Sequence, residues 1–276
     1  MKIGIVGGGF VGSATALLEC KDISIIIYDI DPTKCYPRGT SIKDLIGLDF
    51  IFVCVPTPSY STGECNTTIV ENCIATLKEN GVTNIVLRST VPPGTSDRLG
   101  VGFMPEFLTE ANWANDFYLT SAWVFAGTSA QNVQFQQLLS LAKENKRIHN
   151  DKLISVTSTE AEMIKYVRNS YLATKVSFFN EMSNICERLH INYENVRSAV
   201  CEDSRIGQSH SRVPGPDGHR GFGGTCLPKD TNALLHFMIK NEVKSYILAS
   251  AIERNYKKDR PEHDWEKDPR AFTSKK

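Results

Sequence analysis

The stretch Lys2-Ile3-Gly4-Ile5-Val6-Gly7-Gly8-Gly9-Phe10-Val11-Gly12 decides how the first half of this chain is read. Residues 2–6 form an apolar run that reads as a strand, and it breaks into glycines before a helical pattern over 11–18. Gly7, Gly9 and Gly12 satisfy the GxGxxG spacing. The first glycine permits the tight turn, the second admits a pyrophosphate, and the third lets helix and strand pack closely. The anion would rest over Phe10 and Val11 at the helix N-terminus, where free N–H groups and the dipole favour negative charge. A second strand over 23–28 ends in Asp29, close to the spacing of an acid that holds ribose hydroxyls. That carboxylate would repel a 2′-phosphate, which favours NAD over NADP; a solvated strand-end acid is the plainer alternative. Lys34 lies a few residues further on and joins the expected cofactor set.

The alternation continues outward. Strands are expected at 50–55, 84–88, 101–104 and 122–126, with helices over 65–79 and 130–144. In the last helix Val133, Phe135, Leu138, Leu139 and Leu141 are the residues to bury. Strands alternating with helices predict an α/β fold with a Rossmann-like, doubly wound parallel sheet over residues 1–150. Ligands of such sheets bind at the carboxyl ends of strands. Two proline-fixed turns stand there, Val55-Pro56-Thr57-Pro58 and Ser89-Thr90-Val91-Pro92-Pro93-Gly94-Thr95, and Thr57 and Thr90 offer hydroxyls. Ordinary turn chemistry explains them equally well. Pro105-Glu106-Phe107-Leu108-Thr109-Glu110 follows a further strand, with two carboxylates four apart that could share one face.

The second half reads as helical. Thr159-Glu160-Ala161-Glu162 has a capping-box pattern and opens a helix of about thirty residues, or ~45 Å. Lys165 and Asn169 fall on one face of it, together with Glu162, so a solvated ion-pair row is the bland reading. Residues 203–224 form a polar, locally basic loop carrying Arg205, His210, Arg212, His219 and Arg220, which suits an anionic ligand such as a diphosphate. The loop runs into Gly221-Phe222-Gly223-Gly224-Thr225-Cys226-Leu227-Pro228-Lys229-Asp230. Glycines let backbone approach a ligand, and a thiol before a helix, near a lysine, is a nucleophile candidate. An inert buried thiol is the alternative. Helices over 231–238 and 245–251 follow. A helical central domain over 151–256 and a densely charged, disordered tail over 257–276 complete the expected organisation.

Composition excludes several functions. Thirty-one Lys and Arg balance 31 Asp and Glu, so no charge footprint points to nucleic acid or a membrane surface. No apolar run is long enough for a membrane span, and the glycine-broken N-terminus is not a signal peptide. The eight cysteines lack metal-ligand spacing. They predict reduced thiols, no metal site and a cytoplasmic setting.

Taken together, GIVGGGFVG at 4–12, VPTP at 55–58, STVPPGT at 89–95, PEFLTE at 105–110, the Lys165-to-Asn169 helix ending in NEMSNICE at 180–187, and GFGGTCLPKD at 221–230 resemble the UDP-glucose/GDP-mannose dehydrogenase family. The resemblance runs from Met1 to about Arg254. It implies an NAD-dependent, four-electron oxidation of a nucleotide sugar, UDP-glucose to UDP-glucuronate in the first place. GDP-mannose or a UDP-N-acetylhexosamine is the alternative substrate, and an inactive relative paired with another chain is the alternative of a different class.

By that resemblance Cys226 traps the aldehyde as a thiohemiacetal and then carries the thioester. Lys165 and Asn169 stabilise the oxyanion. Asp230, with Thr90 beside it, assists proton transfer through water, and Glu106 helps hydrolyse the thioester. Gly7, Gly9, Phe10, Val11, Gly12, Asp29, Lys34, Pro56, Thr57, Thr90 and Glu110 line the cofactor. Glu106, Phe107, Leu108, Lys165, Asn169, Arg220, Gly223 and Cys226 line the sugar nucleotide. The resemblance also implies a homodimer through the central helices. Two departures stand out. Met104 stands where the family commonly has asparagine before PEFLTE, and the family's second α/β domain is expected to be missing here and to come from a partner chain.

Overall fold

The computed structural model describes residues 1–274 of the chain. The chain divides into two compact units, Met1–Thr57 with Thr67–Lys165, and Pro58–Asn66 with everything described from Tyr166 onward. The division falls inside the long helix and not near residue 151.

In the first unit, β1 (Lys2–Val6), β2 (Ser24–Tyr28), β3 (Phe50–Val53), β4 (Ile85–Leu87) and β5 (Gly102–Phe103) form a parallel sheet in the order β2-β1-β3-β4-β5. Ile3 is in register with Ile25 on one side and Phe50 on the other. The strands are joined by α1 (Phe10–Ala16), α2 (Thr68–Glu79) and α3 (Thr95–Leu99), followed by α4 (Trp113–Tyr118) and α5 (Ser129–Glu144). This is the expected α/β, Rossmann-like arrangement. A parallel sheet is covered on both faces, so its strands read as unbroken apolar runs. β3 shows why. Phe50 and Phe52 join one buried cluster with Phe125 and Phe135, while Ile51 and Val53 join another with Val70, Ile74 and Leu77. The Phe125 and Phe135 rings stack with centroids 4.2 Å apart. Phe135→Ala in this cluster costs about 3–5 kcal/mol.

Three local expectations change. Val133 of α5 is 74% exposed, because it sits on the face of the helix opposite Phe135 and Leu138. Trp123–Phe125, β6, pairs in parallel with β7 (Leu153–Ser155) as a separate two-stranded sheet, linked to the first by an antiparallel bridge from Phe103 to Ala126. The helix expected from residue 65 starts at Thr68, and residues 58–66 belong to the second unit.

The long helix, α6 (Ser158–Arg188), is capped two residues earlier than its sequence suggested. Thr157 Oγ1 accepts from Glu160 N at 3.3 Å, and Glu160 Oε2 accepts from Thr157 N at 2.8 Å. Glu162 is left for another task. It is fully buried and accepts from Gly94 N at 2.6 Å and Ser96 N at 2.7 Å, capping the start of α3. Glu162 and Lys165 are both buried, so that face is not a solvated ion-pair row; the two N–H groups of the α3 start need an acceptor.

The second unit adds α7 (Tyr193–Cys201), α8 (Leu227–Lys240) and α9 (Ile247–Arg254) to the greater part of α6. α7 was not expected; Asn192 caps it through Asn195 N at 3.2 Å. The charged tail is not disordered over its described length. A wide π-type turn spans Asn255–Asp259 and a 3-10 turn spans Asp264–Lys267. Trp265 and Ala271 are buried, and Ser59 N donates to Ala271 O at 2.9 Å. Composition misled because several of the charges are matched by partners. Arg260 meets Asp217 and Asp264, Arg254 meets Asp259, and Tyr256 packs on Trp265 with centroids 5.1 Å apart. Lys275 and Lys276 of the expected tail lie outside the described residues.

Candidate active site

The glycine loop joins β1 to α1 at the point where the strand order reverses, the position at which such sheets bind ligands. Gly7 has φ +101°, and a Cβ there would stand 2.6 Å from Cys54 O. A Cβ on Gly12 would overlap Gly7 O. Gly9, the first capping residue of α1, is different: a Cβ on it meets nothing within 4 Å. The backbone therefore needs Gly7 and Gly12 for its own packing, while Gly9 faces space that fits an incoming pyrophosphate. Phe10 and Val11 form the first turn behind it.

Asp29 is half-buried, and its two oxygens accept from Gly8 N at 2.7 Å and Asp31 N at 2.8 Å, tying the glycine loop to the end of β2. The Cys35 thiol lies against the Asp29 backbone, 3.4 Å from both its N and its O. A cavity of about 610 Å³ opens beside these residues, lined in part by Tyr28, Asp29, Ile30, Pro32 and Cys35. Ile30 is 93% exposed next to the acid, an apolar face suited to a nucleobase. Lys34 lies beside Gly8, with its ammonium 3.8 Å from Asp31. These residues fit a dinucleotide.

Beyond the sheet's carboxyl edge, Thr57 and Thr90 are buried, Pro56 is exposed, and Ser89 Oγ donates to Val55 O at 2.6 Å, joining the two proline turns. The two acids after β5 part company. Glu106 is 6% exposed while Glu110 is exposed, so they do not share a face. Lys165 Nζ, 2% exposed, donates to Glu106 Oε1 at 2.8 Å and to Glu106 O at 2.6 Å. Leu108 N donates to the other carboxylate oxygen at 2.9 Å, and the ammonium lies 5.6 Å from the Phe107 ring centroid. Burial alone would raise the Glu106 carboxyl; the Lys165 ammonium overrides it and holds the acid below its ordinary range. Arg88, at the end of β4, was not singled out by sequence. It is 2% exposed, donates to Thr15 Oγ1 and lies near Glu106 and Cys54. Its signal was an arginine closing an otherwise apolar strand.

In the second unit Cys226 is the N-cap residue of α8, half-buried, with Pro228 in the first turn and Thr225 Oγ1 3.8 Å from its sulfur. A helix N-terminus lowers a thiol's pKa. Behind it, Asn169 Nδ2 donates to Asp230 Oδ2 at 2.6 Å, and Lys229 Nζ donates to Asp230 Oδ1 at 2.5 Å. Asp230 is fully buried and Asn169 6% exposed. Burial would lower the Lys229 ammonium, but Asp230, with the Cys65 and Cys226 sulfurs nearby, pushes it up, so Lys229 stays charged. Sequence read Lys229 as a positive charge near the thiol; its ion pair with Asp230 was not foreseen. Arg220 is turned to α6, donating to Asn184 Oδ1 at 2.6 Å and to Glu187. Gly221 and Gly224 have φ +68° and +71°, and Gly223 lies against Arg260.

Comparison with known proteins places the chain in a family. Residues 159–257 match the central domain of the UDP-glucose/GDP-mannose dehydrogenase family, and residues 38–144 match that family's NAD binding domain. The chain belongs to this family. Its NAD-binding match begins after the glycine loop, which the structure supplies independently. UDP-glucose 6-dehydrogenase TuaD of Bacillus subtilis is 31% identical over 304 residues, covering 93% of this chain and 63% of TuaD. Among solved structures, a UDP-glucose dehydrogenase from Pyrobaculum islandicum superposes with a TM-score of 0.77 at 24% identity, over 92% of this chain and 67% of that one. A GDP-mannose dehydrogenase from Pseudomonas aeruginosa superposes with a TM-score of 0.66 at 27% identity, over 92% and 68%. The family member described here thus spans less than two thirds of TuaD. Among its described residues no helix is long and apolar enough to cross a membrane.

Proposed function

We propose that the chain oxidises the primary alcohol of a nucleotide sugar to the acid, UDP-glucose to UDP-glucuronate, through Cys226. The observation that carries the reading is a half-buried thiol at the head of α8 with a buried, charged Lys229 close by. Both features favour the thiolate, the nucleophilic form. Bound NAD supplies the hydride acceptor, held by Gly7, Gly9, Gly12 and Asp29, with Lys34, Thr57, Thr90 and Glu110 completing its surround. The alcohol loses a hydride and a proton. The Cys226 sulfur adds to the resulting aldehyde, and the oxyanion takes up a proton as a thiohemiacetal. After the reduced cofactor exchanges for a second NAD, a second hydride and a proton leave, giving a thioester, and water cleaves the carbon–sulfur bond to return the thiol and release the carboxylate.

Lys165 and Asn169, one turn apart on α6, supply positive charge and an N–H dipole to the oxyanion stages. Asp230, which accepts from Asn169 Nδ2 and Lys229 Nζ, takes the proton through water. Glu106, kept ionised by Lys165, activates the hydrolytic water. Phe107, Leu108, Gly223 and Arg220 contribute to the sugar-nucleotide surface.

The test is NADH formation by the purified chain with UDP-glucose, GDP-mannose and UDP-N-acetylmannosamine. Two NADH per UDP-glucose is the expected result. The likeness to a GDP-mannose dehydrogenase supports GDP-mannose as the alternative substrate. NAD binding without turnover on any of the three would overturn the reading in favour of an inactive relative served by a partner chain.

We further infer a homodimer through α6. Val167, Tyr171, Phe178, Ile185 and Leu189 are each 48–61% exposed and follow one another at spacings of four and seven, a single apolar stripe. Phe178→Glu is expected to halve the sedimenting mass; an unchanged mass would place the subunit contact elsewhere. The eight cysteines are all thiols, which suits a reducing, cytoplasmic compartment.

A further inference from the structure

Arg260 lies in the densely charged C-terminal segment, yet it is only 3% exposed. Its guanidinium is held from two sides. Nη1 donates to Asp217 Oδ2 at 2.6 Å, while Nε and Nη2 donate to the two oxygens of Asp264 at 2.7 and 2.6 Å. An arginine gripped by a bidentate carboxylate and a second acid has a fixed plane, unlike a lysine ammonium on its flexible stem. Gly223 sits directly on that group: a Cβ built there would overlap Cζ and both terminal nitrogens. Asp217 lies earlier in the same loop, so Arg260 grips the loop at two points.

The neighbouring residues are gripped as well. Asn255 is fully buried, accepts from Phe222 N at 2.8 Å and donates to Phe222 O at 2.9 Å, as a paired strand would. Asn180 Oδ1 accepts from Gly221 N at 3.3 Å. A Cβ on Gly221 would overlap Asn255 Oδ1. Backbone bonds of this kind hold residues 221 and 222. Among the described residues, Gly223 shows no such bond to the C-terminal segment; what it meets there is the guanidinium.

We propose that Arg260 is a positioning residue for Cys226: clasped by Asp217 and Asp264, its guanidinium is the stop against which Gly223 packs, and it sets the path of the turn that delivers the thiol to the head of α8. An apolar floor would let the glycine slide, because dispersion contacts are non-directional, whereas three charge-assisted hydrogen bonds fix the stop in place. The inference rests on the reading of Cys226 as nucleophile and deepens it, by assigning the placement of the sulfur to a segment outside the motif that contains it.

The experiment combines Arg260→Ala, Arg260→Lys, Gly223→Ala and the double variant Gly223→Ala/Arg260→Ala in the full chain. Two readouts are taken: the rate of Cys226 alkylation by iodoacetamide, located by peptide mapping, and steady-state turnover with UDP-glucose and NAD. A displacement of about 1 Å at a reacting group costs on the order of 100-fold. Arg260→Ala is therefore expected to lower kcat by about that factor while KM for NAD stays within about twofold, and to change the alkylation rate at Cys226 by about tenfold or more. Arg260→Lys, which keeps the charge and loses the fork, does not restore either value.

Gly223→Ala should also impair both readouts, and removing the guanidinium should relieve it, so that the double variant is no worse than Arg260→Ala alone. A purely structural role lowers the melting temperature in both singles and lets their effects multiply; that result overturns the proposal. So does an Arg260→Ala chain that folds and alkylates Cys226 at the wild-type rate. If Arg260→Ala fails to fold, Gly223→Ala and Arg260→Lys carry the same comparison. Failure of the nucleophile reading is seen separately, in the wild-type chain, as turnover that survives complete alkylation of Cys226.

Discussion

The molecule has two glycine-rich loops, and they use glycine differently. In the loop after β1, Gly7 and Gly12 are needed by backbone a few residues away, the Cys54 carbonyl and the Gly7 carbonyl respectively, and Gly9 opens onto space. In the loop before α8, Gly221 and Gly223 are needed by side chains from a segment more than thirty residues downstream, Asn255 and Arg260. The first loop is built to be filled by something that is not protein. The second is packed from behind by protein, so that the one residue at its end, Cys226, is placed. A cofactor cradle needs vacancy, and a nucleophile needs support.

Substitutions can break that contrast, and the largest effect is expected at the supported residue. Cys226→Ser should lower kcat by on the order of 10³-fold or more, with NAD affinity measured by titration unchanged. Retained turnover would mean that the second loop is support without chemistry.

The buried ion pair of the first unit comes next. Lys165→Met leaves Glu106 buried without its cation, at a cost of about 3–5 kcal/mol, measured by denaturant melts. The pH dependence should reverse with it. In the wild type the Glu106 carboxyl is held below its ordinary value of 4.5, so its stabilisation is complete at neutral pH and is lost as pH falls through that lowered value. In Lys165→Met, burial dominates and raises the carboxyl, and stability is lost as pH rises through the raised value. Melting temperatures of the two proteins across acid and neutral pH check this, and parallel curves would show that another group compensates the acid.

Within the glycine loop, Gly12→Ala forces a methyl onto the Gly7 carbonyl and should cost about 1–3 kcal/mol, lowering Tm along with NAD affinity. Gly9→Ala is the sharper test because its Cβ meets nothing. Tm should hold while the NAD Kd rises about tenfold, equivalent to roughly 1.4 kcal/mol. A Gly9→Ala chain with both values unchanged would deny that the open side of this loop holds the pyrophosphate.

Much of the first unit was legible because its signals are local. The strand–glycine–helix run, the acid closing β2, and the unbroken apolar strands of a doubly covered sheet each depend on neighbours in sequence or on a repeating period. The capping of α6 shows where local reading stops. Two overlapping patterns, Thr157 with Glu160 and Thr159 with Glu162, fit the same rule, and only the N–H groups of Gly94 and Ser96 drew Glu162 away to α3. Of the candidate site, the motif around Cys226 and its nearby lysine were visible, but Arg88 and the pairing of Lys229 with Asp230 were not, because sequence does not record whether a cation faces solvent or a buried acid.

The C-terminal segment marks the other boundary. By composition it is a charged tail, and charge in a sequence is read as hydration. Its course was decided by partners far away in the chain: Asp217 for Arg260, Ser59 for Ala271, and Phe222 for Asn255. Sequence alone determined that this protein builds a dinucleotide cradle and carries a cysteine before a helix, because both are patterns of neighbouring residues. Only the tertiary structure decided that the charged tail packs behind the glycine loop that leads to that cysteine. Whether a charge is solvated or clasped depends on what long-range packing brings opposite it, and no local pattern records that.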